Sequence, residues 1–174
     1  MTWEIDASHS EVLFSVRHLA ISTVKGHFTV LGGTLHIDEE NPSNSWVDAE
    51  VDVASINTRD ANRDAHLRSA DFFDAEKYPK ITFKSTNVEH LQGHNYRVTG
   101  DLTIHGITNS ITFDAQYGGQ LKDPYGLQRA GLNARTTISR KDFGLTWNAV
   151  VETTGGLVVS DEVKIEIELE AINK

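Results

Sequence analysis

The residues best suited to metal chemistry are the eight histidines of this 174-residue sequence, which contains no cysteine. Four of them recur at intervals of nine residues, at His9, His18, His27 and His36. An odd interval does not by itself place side chains from different strands on a common face. The sequence also contains neither a His-x-His pair nor a His-Glu-x-x-His motif. We therefore predict no metal site and no cofactor.

The charged segment Arg63-Asp64-Ala65-His66-Leu67-Arg68 has two interpretations. It could hold a catalytic histidine–aspartate pair with arginines that anchor a substrate. Alternatively, it could be a cap whose ion pairs fasten a helical segment to a larger body. No Gly-x-Ser-x-Gly elbow and no cofactor motif accompanies it. We favour the structural cap, and we predict that the protein is not an enzyme.

Glycine pairs occur at Gly32-Gly33, Gly118-Gly119 and Gly155-Gly156, without the spacing or the following helix of a phosphate-binding loop. We interpret them as bulges and turns. The formal net charge of −9 argues against nucleic acid or an anionic lipid surface as the main partner. No apolar stretch approaches the length of a transmembrane helix, so we expect no stable membrane insertion.

The elements that position these residues are predicted to be β-strands, because apolar and polar side chains alternate with a period of two. The clearest segments are 47–53, 96–104, 111–117 and 163–171. Strands with one solvent-exposed face and one buried face are typical of antiparallel sheets. Weaker segments, around Trp3, Phe14, Phe28, Leu35, Phe83 and Leu132, raise the count to about eight to ten strands.

Two features depart from a simple alternation. Residues 60–73 contain no β-branched residue and predict a short helix, capped by Asp60, that ends before an aromatic pair. The inward parity also changes between Phe28 and Leu35. Because an extra residue restores the inward face, we predict a β-bulge at Gly32-Gly33.

Closure of the sheet into a barrel is expected, because an open sheet of this size exposes two edges. The interior of a barrel of about eight strands is either filled by side chains or able to hold one small ligand. Small inward residues such as Ala49, Ala115 and Ala134 favour an axial cavity. Larger ones such as Phe14 and Phe113 could fill it, and the residues alone leave both outcomes open.

The chain is expected to form one domain over residues 1–174, because its length and composition suit a single core. Its first six residues lack the basic and apolar regions of a secretion signal. A cytoplasmic location is therefore the expectation. A periplasmic or secreted location is the alternative if a signal has been removed.

A series of short motifs runs along nearly the whole chain. The motifs are Trp3-Glu4-Ile5-Asp6, His9-Ser10, Phe14 with Arg17-His18, Gly26-His27-Phe28, Ser55-Ile56-Asn57-Thr58, Arg63-Asp64-Ala65-His66-Leu67-Arg68-Ser69-Ala70-Asp71-Phe72-Phe73, Tyr78-Pro79-Lys80-Ile81-Thr82-Phe83, Gly100-Asp101-Leu102-Thr103-Ile104-His105-Gly106 and Arg140-Lys141-Asp142-Phe143-Gly144-Leu145. Each motif alone is weakly specific. In this order and spacing, the chain resembles the YceI-like family of lipocalin-like, polyisoprenoid-binding proteins.

The resemblance implies an all-β fold: an extended eight-stranded antiparallel lipocalin-like β-barrel with a short helical segment. It also implies a homodimer, and an interior that binds and carries or stores a polyisoprenoid or an isoprenoid quinone. We expect the wall around this ligand to be formed by Phe14, Val16, Phe28, Val51, Val53, Leu67, Phe72, Phe83, Val98, Leu102, Phe113, Leu132, Ala134, Phe143 and Trp147. The alternatives are an enzyme acting on a lipid or quinone inside the barrel, and a ligand-free interaction module.

Overall fold

The secondary structure is dominated by β-strands. The computed structural model describes residues 2–148 and 158–173. The strands are β1 (Thr2–Ile5), β2 (Glu11–His18), β3 (Ser22–Phe28), β4 (Leu31–His36), β5 (Trp46–Asp52), β6 (Ile56–Asn57), β7 (Lys80–His90), β8 (Asn95–Ile104), β9 (Ile107–Lys122), β10 (Gln128–Ser139) and β11 (Val159–Asn173). The α-helix α1 spans Ala61–Arg68, and short 3-10 turns lie at Ala7–His9, Pro42–Asn44, Val53–Ser55 and Arg140–Phe143.

These strands close one antiparallel barrel in which neighbours in sequence are neighbours in space. The first three barrel strands are each broken in two: β1 with β2, β3 with β4, and β5 with β6. Both halves of the first strand pair with β11, so Ile5 lies opposite Ala171 and Phe14 lies opposite Ile165. Strands β7 to β11 complete the ring. The prediction of an eight-stranded antiparallel barrel with a short helix is therefore confirmed.

The break in the second barrel strand explains the parity change seen in the sequence. Phe28 ends β3 and Leu31 begins β4, and both side chains are buried. The hydroxyl of Ser55 accepts hydrogen bonds of 3.2 Å from the two backbone N–H groups between them. The register of β4 against β5 is continuous at Gly32-Gly33, so the bulge predicted there is wrong. The inward face is restored at the break, without an extra residue at the glycines.

The other glycine pairs have different outcomes. A register shift confirms the bulge at Gly118-Gly119, because Gly131 lies opposite Gly119 whereas Leu132 lies opposite Tyr117. Gly155-Gly156 lies outside the described residues.

Helix α1 is held by charged hydrogen bonds at its first turn. Asp60 caps it, as predicted, by accepting from the backbone N–H groups of Asn62 and Arg63. The buried Asp64 carboxylate accepts from the N–H of Thr58 at 2.8 Å and from its hydroxyl at 2.5 Å. Arg63 Nε donates to the same hydroxyl at 2.8 Å. These bonds support the cap interpretation, with hydrogen bonds rather than ion pairs fastening the helix to the chain after β6.

The two ends of the barrel differ. At the end that we call the helix end lie α1, turns 19–21 and 105–106, and segment 140–148. At the opposite end, which we call the hairpin end, lie loops 37–45, 91–94 and 123–127. No helix among the described residues is long and apolar enough to cross a bilayer.

Candidate ligand-binding cavity

The barrel encloses an apolar cavity of about 300 Å³. Its lining extends from Glu39 at the hairpin end to Arg140 and Leu145 at the helix end. This volume lies at the lower limit of typical small-molecule sites. The interior is therefore not completely filled by its own side chains.

The middle of the wall is built from hydrocarbon side chains. The lining residues of β8 to β11 include Val98, Leu102, Phe113, Ala115, Leu132, Ala134, Ile165 and Ile167. The charged residues that alternate with them on β11, such as Glu166 and Glu168, are exposed on the outer face. Because this surface has few groups that can hydrogen-bond, it favours an apolar occupant over water.

Two phenylalanines line the cavity without blocking it, because each packs on a glycine of the neighbouring strand. A Cβ atom added to Gly26 would lie 2.3 Å from Cζ of Phe14. A Cβ atom added to Gly100 would lie 2.5 Å from Cζ of Phe83. Each ring occupies the space that a side chain on the glycine would need. The rings therefore lie against the wall, and the axis of the barrel stays open.

The hairpin end carries a hydrogen-bonded group that we call the mouth latch, formed by Glu39, Tyr117 and Gln120. The hydroxyl of Tyr117 donates to Oε1 of Glu39 at 2.7 Å, and Nε2 of Gln120 donates to the same oxygen at 3.1 Å. Strand β9 lies across the ring from β4, so these bonds span the mouth of the barrel. Burial and the bond to Glu39 raise the pKa of Tyr117 well above its usual range. Tyr117 therefore remains a hydrogen-bond donor.

The helix end is closed around a buried arginine. Arg140 is 4% exposed, and its Nη1 donates to the carbonyl oxygens of Leu145 and Trp147 at 2.6 and 2.9 Å. Its Nε donates to the carbonyl of Ser160 at 2.9 Å. Burial lowers the pKa of Arg140, and the nearby Asp161 carboxylate opposes this shift. The guanidinium thus fastens two segments of the chain to each other.

Most of the predicted wall residues lie together around this cavity. Those that line it are Phe14, Val16, Phe28, Val51, Leu67, Phe72, Phe83, Val98, Leu102, Phe113, Leu132 and Ala134. The family resemblance and the alternation of apolar and polar residues together predict which face of each strand points into the barrel.

Val53, Phe143 and Trp147 do not line the cavity, and all three follow the end of a strand. Val53 and Phe143 lie in 3-10 turns, where a period of two no longer decides which way a side chain points. Phe143 is completely buried at the helix end, in an apolar cluster whose other buried members, Leu102, Ile104, Ile138 and Leu145, line the cavity. Trp147 packs on His66 and Phe72, with ring centroids 4.9 and 5.2 Å apart.

Further lining residues were not predicted. Those on strands are Val12, Leu31, Leu35, Val47, Ile81, Val88, Tyr96, Ile104, Tyr117, Ile138, Val163, Ile167 and Leu169, among others. Many share the inward parity of residues already chosen, so the alternation could have identified them. Asp38 and Glu39 lie in a loop and Arg140 in a turn, where the sequence carries no such signal.

Two histidine-containing groups of polar residues lie outside the cavity in the described part of the chain, and neither contributes to its lining. His66 Nε2 lies 2.9 Å from Oδ2 of Asp71, and both side chains are exposed. Asp6, His9 and Glu170 form the group whose spacing could suit a metal ion. Nη1 of Arg129 lies 3.0 Å from Asp6 and 2.6 Å from Glu170, so a cation already occupies this position.

Two carboxylates beside Arg129, those of Asp6 and Asp123, are stabilised in their charged form. Hydrogen bonds from Ser8, His9 and Arg129 hold the pKa of Asp6 far below its usual range. Arg129 Nε lies 2.7 Å from Asp123 and lowers the pKa of that carboxyl group. This network ties the loop after β9 to the chain after β1.

The comparison with known proteins agrees with the fold. The model of the YceI-like domain matches residues 3–171, and the chain belongs to this family. A UPF0312 protein of Vibrio parahaemolyticus is 42% identical over 138 residues, which are 79% of this chain and 73% of that protein.

Two solved structures share the barrel. The crystal structure of Burkholderia cenocepacia BcnA has a TM-score of 0.84 at 24% identity, covering 95% of this chain and 98% of that one. A structure described as a polyisoprenoid binding domain, from Saccharophagus degradans, has a TM-score of 0.69 at 18% identity and covers 97% of both chains. At these identities, both structures support the fold alone.

Proposed function

We propose that this protein binds a long-chain apolar lipid, of the polyisoprenoid or isoprenoid-quinone type, inside the barrel and carries or stores it. The observation that supports the proposal is the hydrocarbon-lined cavity of about 300 Å³ between the two barrel ends. The polyisoprenoid binding domain of Saccharophagus degradans has the same architecture, which is consistent with this class of ligand.

Burial of apolar surface would provide the affinity. Each buried CH₂ group contributes about 0.8 kcal/mol, so a tail with about ten buried carbons gains about 8 kcal/mol. The cost of ordering the tail and losing its free motion reduces this gain. Because dispersion and apolar burial depend on size more than on chemistry, such a wall discriminates mainly by the length and width of the tail.

Binding is favoured over catalysis because the ionisable lining groups have other partners. Tyr117 and Glu39 are bonded to each other at the hairpin end. Arg140 is bonded to carbonyl oxygens at the helix end. Between them, the lining residues that the structure describes carry hydrocarbon side chains, apart from Tyr96 and Gln116 near the hairpin end.

The direct test is to purify the protein under native conditions, extract it with organic solvent and analyse the extract by mass spectrometry. We expect about one long-chain lipid per barrel. An extract without a stoichiometric lipid, combined with no uptake of added prenyl lipids, would contradict the proposal.

A matched pair of variants on β10 connects the lipid to the cavity. Ala134 lines the cavity opposite Ala115 and Ile167, whereas Asn133 is exposed on the outer face. Ala134→Trp should lower lipid recovery several-fold because the ring takes the space of the tail, and Asn133→Trp should not. Ala49→Phe on β5 repeats the test if Ala134→Trp fails to fold. Equal recovery from folded inner and outer variants would place the lipid elsewhere.

A further inference from the structure

We propose that the mouth of the cavity selects a lipid with an uncharged, hydroxyl-bearing head group and rejects one with a phosphate head. This inference rests on the proposed function and names the class of ligand within it. It follows from the distribution of polar and charged groups along the wall.

Polar lining groups are concentrated at the hairpin end. They are His36, Asp38, Glu39, Ser45, Gln116 and Tyr117, together with Tyr96 slightly deeper. A head group that leaves water needs hydrogen-bond partners, because a buried polar group without one is strongly disfavoured. The head of a bound lipid is therefore expected at this end, with its tail directed towards the helix end.

The helix end is a poor alternative for the head group. Arg140 is the charged lining residue there, and both N–H groups of its Nη1 already have carbonyl acceptors. Its Nε and Nη2 bond to the carbonyls of Ser160 and Val159, and Asp161 lies 3.7 Å from Nη2. A phosphate at this guanidinium would have to compete with these carbonyl acceptors and with Asp161.

The charge at the hairpin end is negative. Oε1 of Glu39 is bonded to two neutral donors, and Asp38 accepts from backbone N–H groups and from Asn44. In the described part of the chain, neither carboxylate forms an ion pair with Lys, Arg or His within 4.0 Å. Hydrogen bonds from the backbone of Asn41 and the side chain of Asn44 lower the pKa of Asp38, so this carboxylate is charged at neutral pH. Like charges repel; Glu39 is exposed and Asp38 is half-buried, so this repulsion acts across a solvated mouth and is weakened by salt.

A hydroxyl head suits the same groups. It can donate to the Glu39 carboxylate, which makes a charge-assisted hydrogen bond of the stronger kind. Tyr117 cannot donate to the head as well, because its single O–H is already donated to Glu39, but its oxygen keeps a free acceptor position. A phosphate would instead bring its oxygens against two carboxylates.

Two probes with the same tail test the inference: geranylgeraniol and geranylgeranyl phosphate, each titrated into delipidated protein at neutral pH and followed by tryptophan fluorescence. We expect the alcohol to bind at least tenfold more tightly than the phosphate. Glu39→Gln should reduce this ratio by threefold or more, mainly by strengthening phosphate binding.

Glu40→Gln is the matched control, because Glu40 is the next residue along the loop and is exposed outside the cavity lining. It should leave the ratio close to that of the unchanged protein. A phosphate that binds as tightly as the alcohol would overturn the inference, and so would equal effects of the two substitutions. If neither probe binds, the proposed function itself fails, which is a separate outcome.

Discussion

The contact between Phe14 and Gly26 allows the openness of the cavity to be tested by adding a single methyl group. In Gly26→Ala, the new Cβ would lie 2.3 Å from Cζ and 2.8 Å from Cε1 of Phe14, and 2.9 Å from Cγ2 of Thr58. All three atoms belong to side chains. The backbone can therefore stay in place, while the ring must move.

The size of the movement follows from these distances. Carbon atoms pack at about 3.5–4.0 Å, so the ring of Phe14 must shift by about 1 Å or more. Phe28 packs against Phe14 with ring centroids 5.6 Å apart, which leaves the cavity as the free direction. Overpacking typically costs about 1–3 kcal/mol, and the stiffer unfolded chain of alanine returns about 0.4–1 kcal/mol. We expect a net loss of about 1–2 kcal/mol in the free energy of unfolding.

Two measurements are needed on the Gly26→Ala protein: urea denaturation, and the amount of lipid that it retains or takes up. We expect both stability and lipid occupancy to fall. Phe14→Leu removes the two colliding ring atoms and leaves the 2.9 Å contact with Thr58, so the loss of stability caused by Gly26→Ala should be much smaller when it is combined with Phe14→Leu. The double variant should also regain lipid occupancy relative to Gly26→Ala alone.

This double-mutant cycle distinguishes the collision with the ring of Phe14 from the collision with Thr58. If Gly26→Ala destabilises the Phe14→Leu background as much as the unchanged protein, the collision with Thr58 is responsible and the reasoning about the ring is refuted. Unchanged lipid occupancy in a destabilised Gly26→Ala protein would show that this ring does not control the space for the ligand.

Three further predictions concern the cap, the outer network and the mouth. Asp64→Ala should reduce the free energy of unfolding by about 2–3 kcal/mol in urea denaturation, because the buried Thr58 loses its charged hydrogen-bond acceptor. The control Asp71→Ala changes a surface residue and should reduce it by no more than about 0.5 kcal/mol. Equal losses in the two variants would contradict the role of the cap. The depressed pKa of Asp123 stabilises the fold above about pH 4, and this contribution is lost as the pH falls through the range between the unfolded and folded pKa values. Arg129→Met should therefore lose less stability than the unchanged protein between about pH 5 and pH 3, whereas identical acid profiles would exclude this network as the cause. Tyr117→Phe removes the shorter of the two bonds that span the mouth, so a bound fluorescent lipid should dissociate several-fold faster in a dilution assay, and an unchanged rate would show that the bond between Tyr117 and Glu39 does not limit release.

The barrel could be predicted from the sequence because its regular strands carry a simple code. On β11, Val163, Ile165 and Ile167 line the cavity, and Lys164 and Glu166 between them are exposed outside, as the alternation requires. The same code fails where a strand ends. Val53 and Phe143 are apolar and buried, but they lie in turns and are not among the residues that line the cavity.

The open interior could not be predicted from residue types. Phe14 and Phe83 have enough volume to fill part of a barrel, and only their position over glycines on the adjacent strands keeps them at the wall. The partners Phe14 and Gly26 are far enough apart in sequence that the register of two strands must be known first. The mouth latch is a similar case, because Tyr117 follows the alternation whereas Glu39 comes from a loop on the other side of the ring.

The order of the strands also determines when the protein can enclose anything. Seven of the contacts around the ring join segments that follow each other in sequence, but the eighth joins β11 to β1 and β2, as in the pair Glu4 and Ile172. Closing such a long loop is entropically unfavourable until many other contacts exist. During synthesis, the nascent sheet is therefore open, and its apolar face is exposed to water. It encloses a cavity only after β11 has emerged from the ribosome.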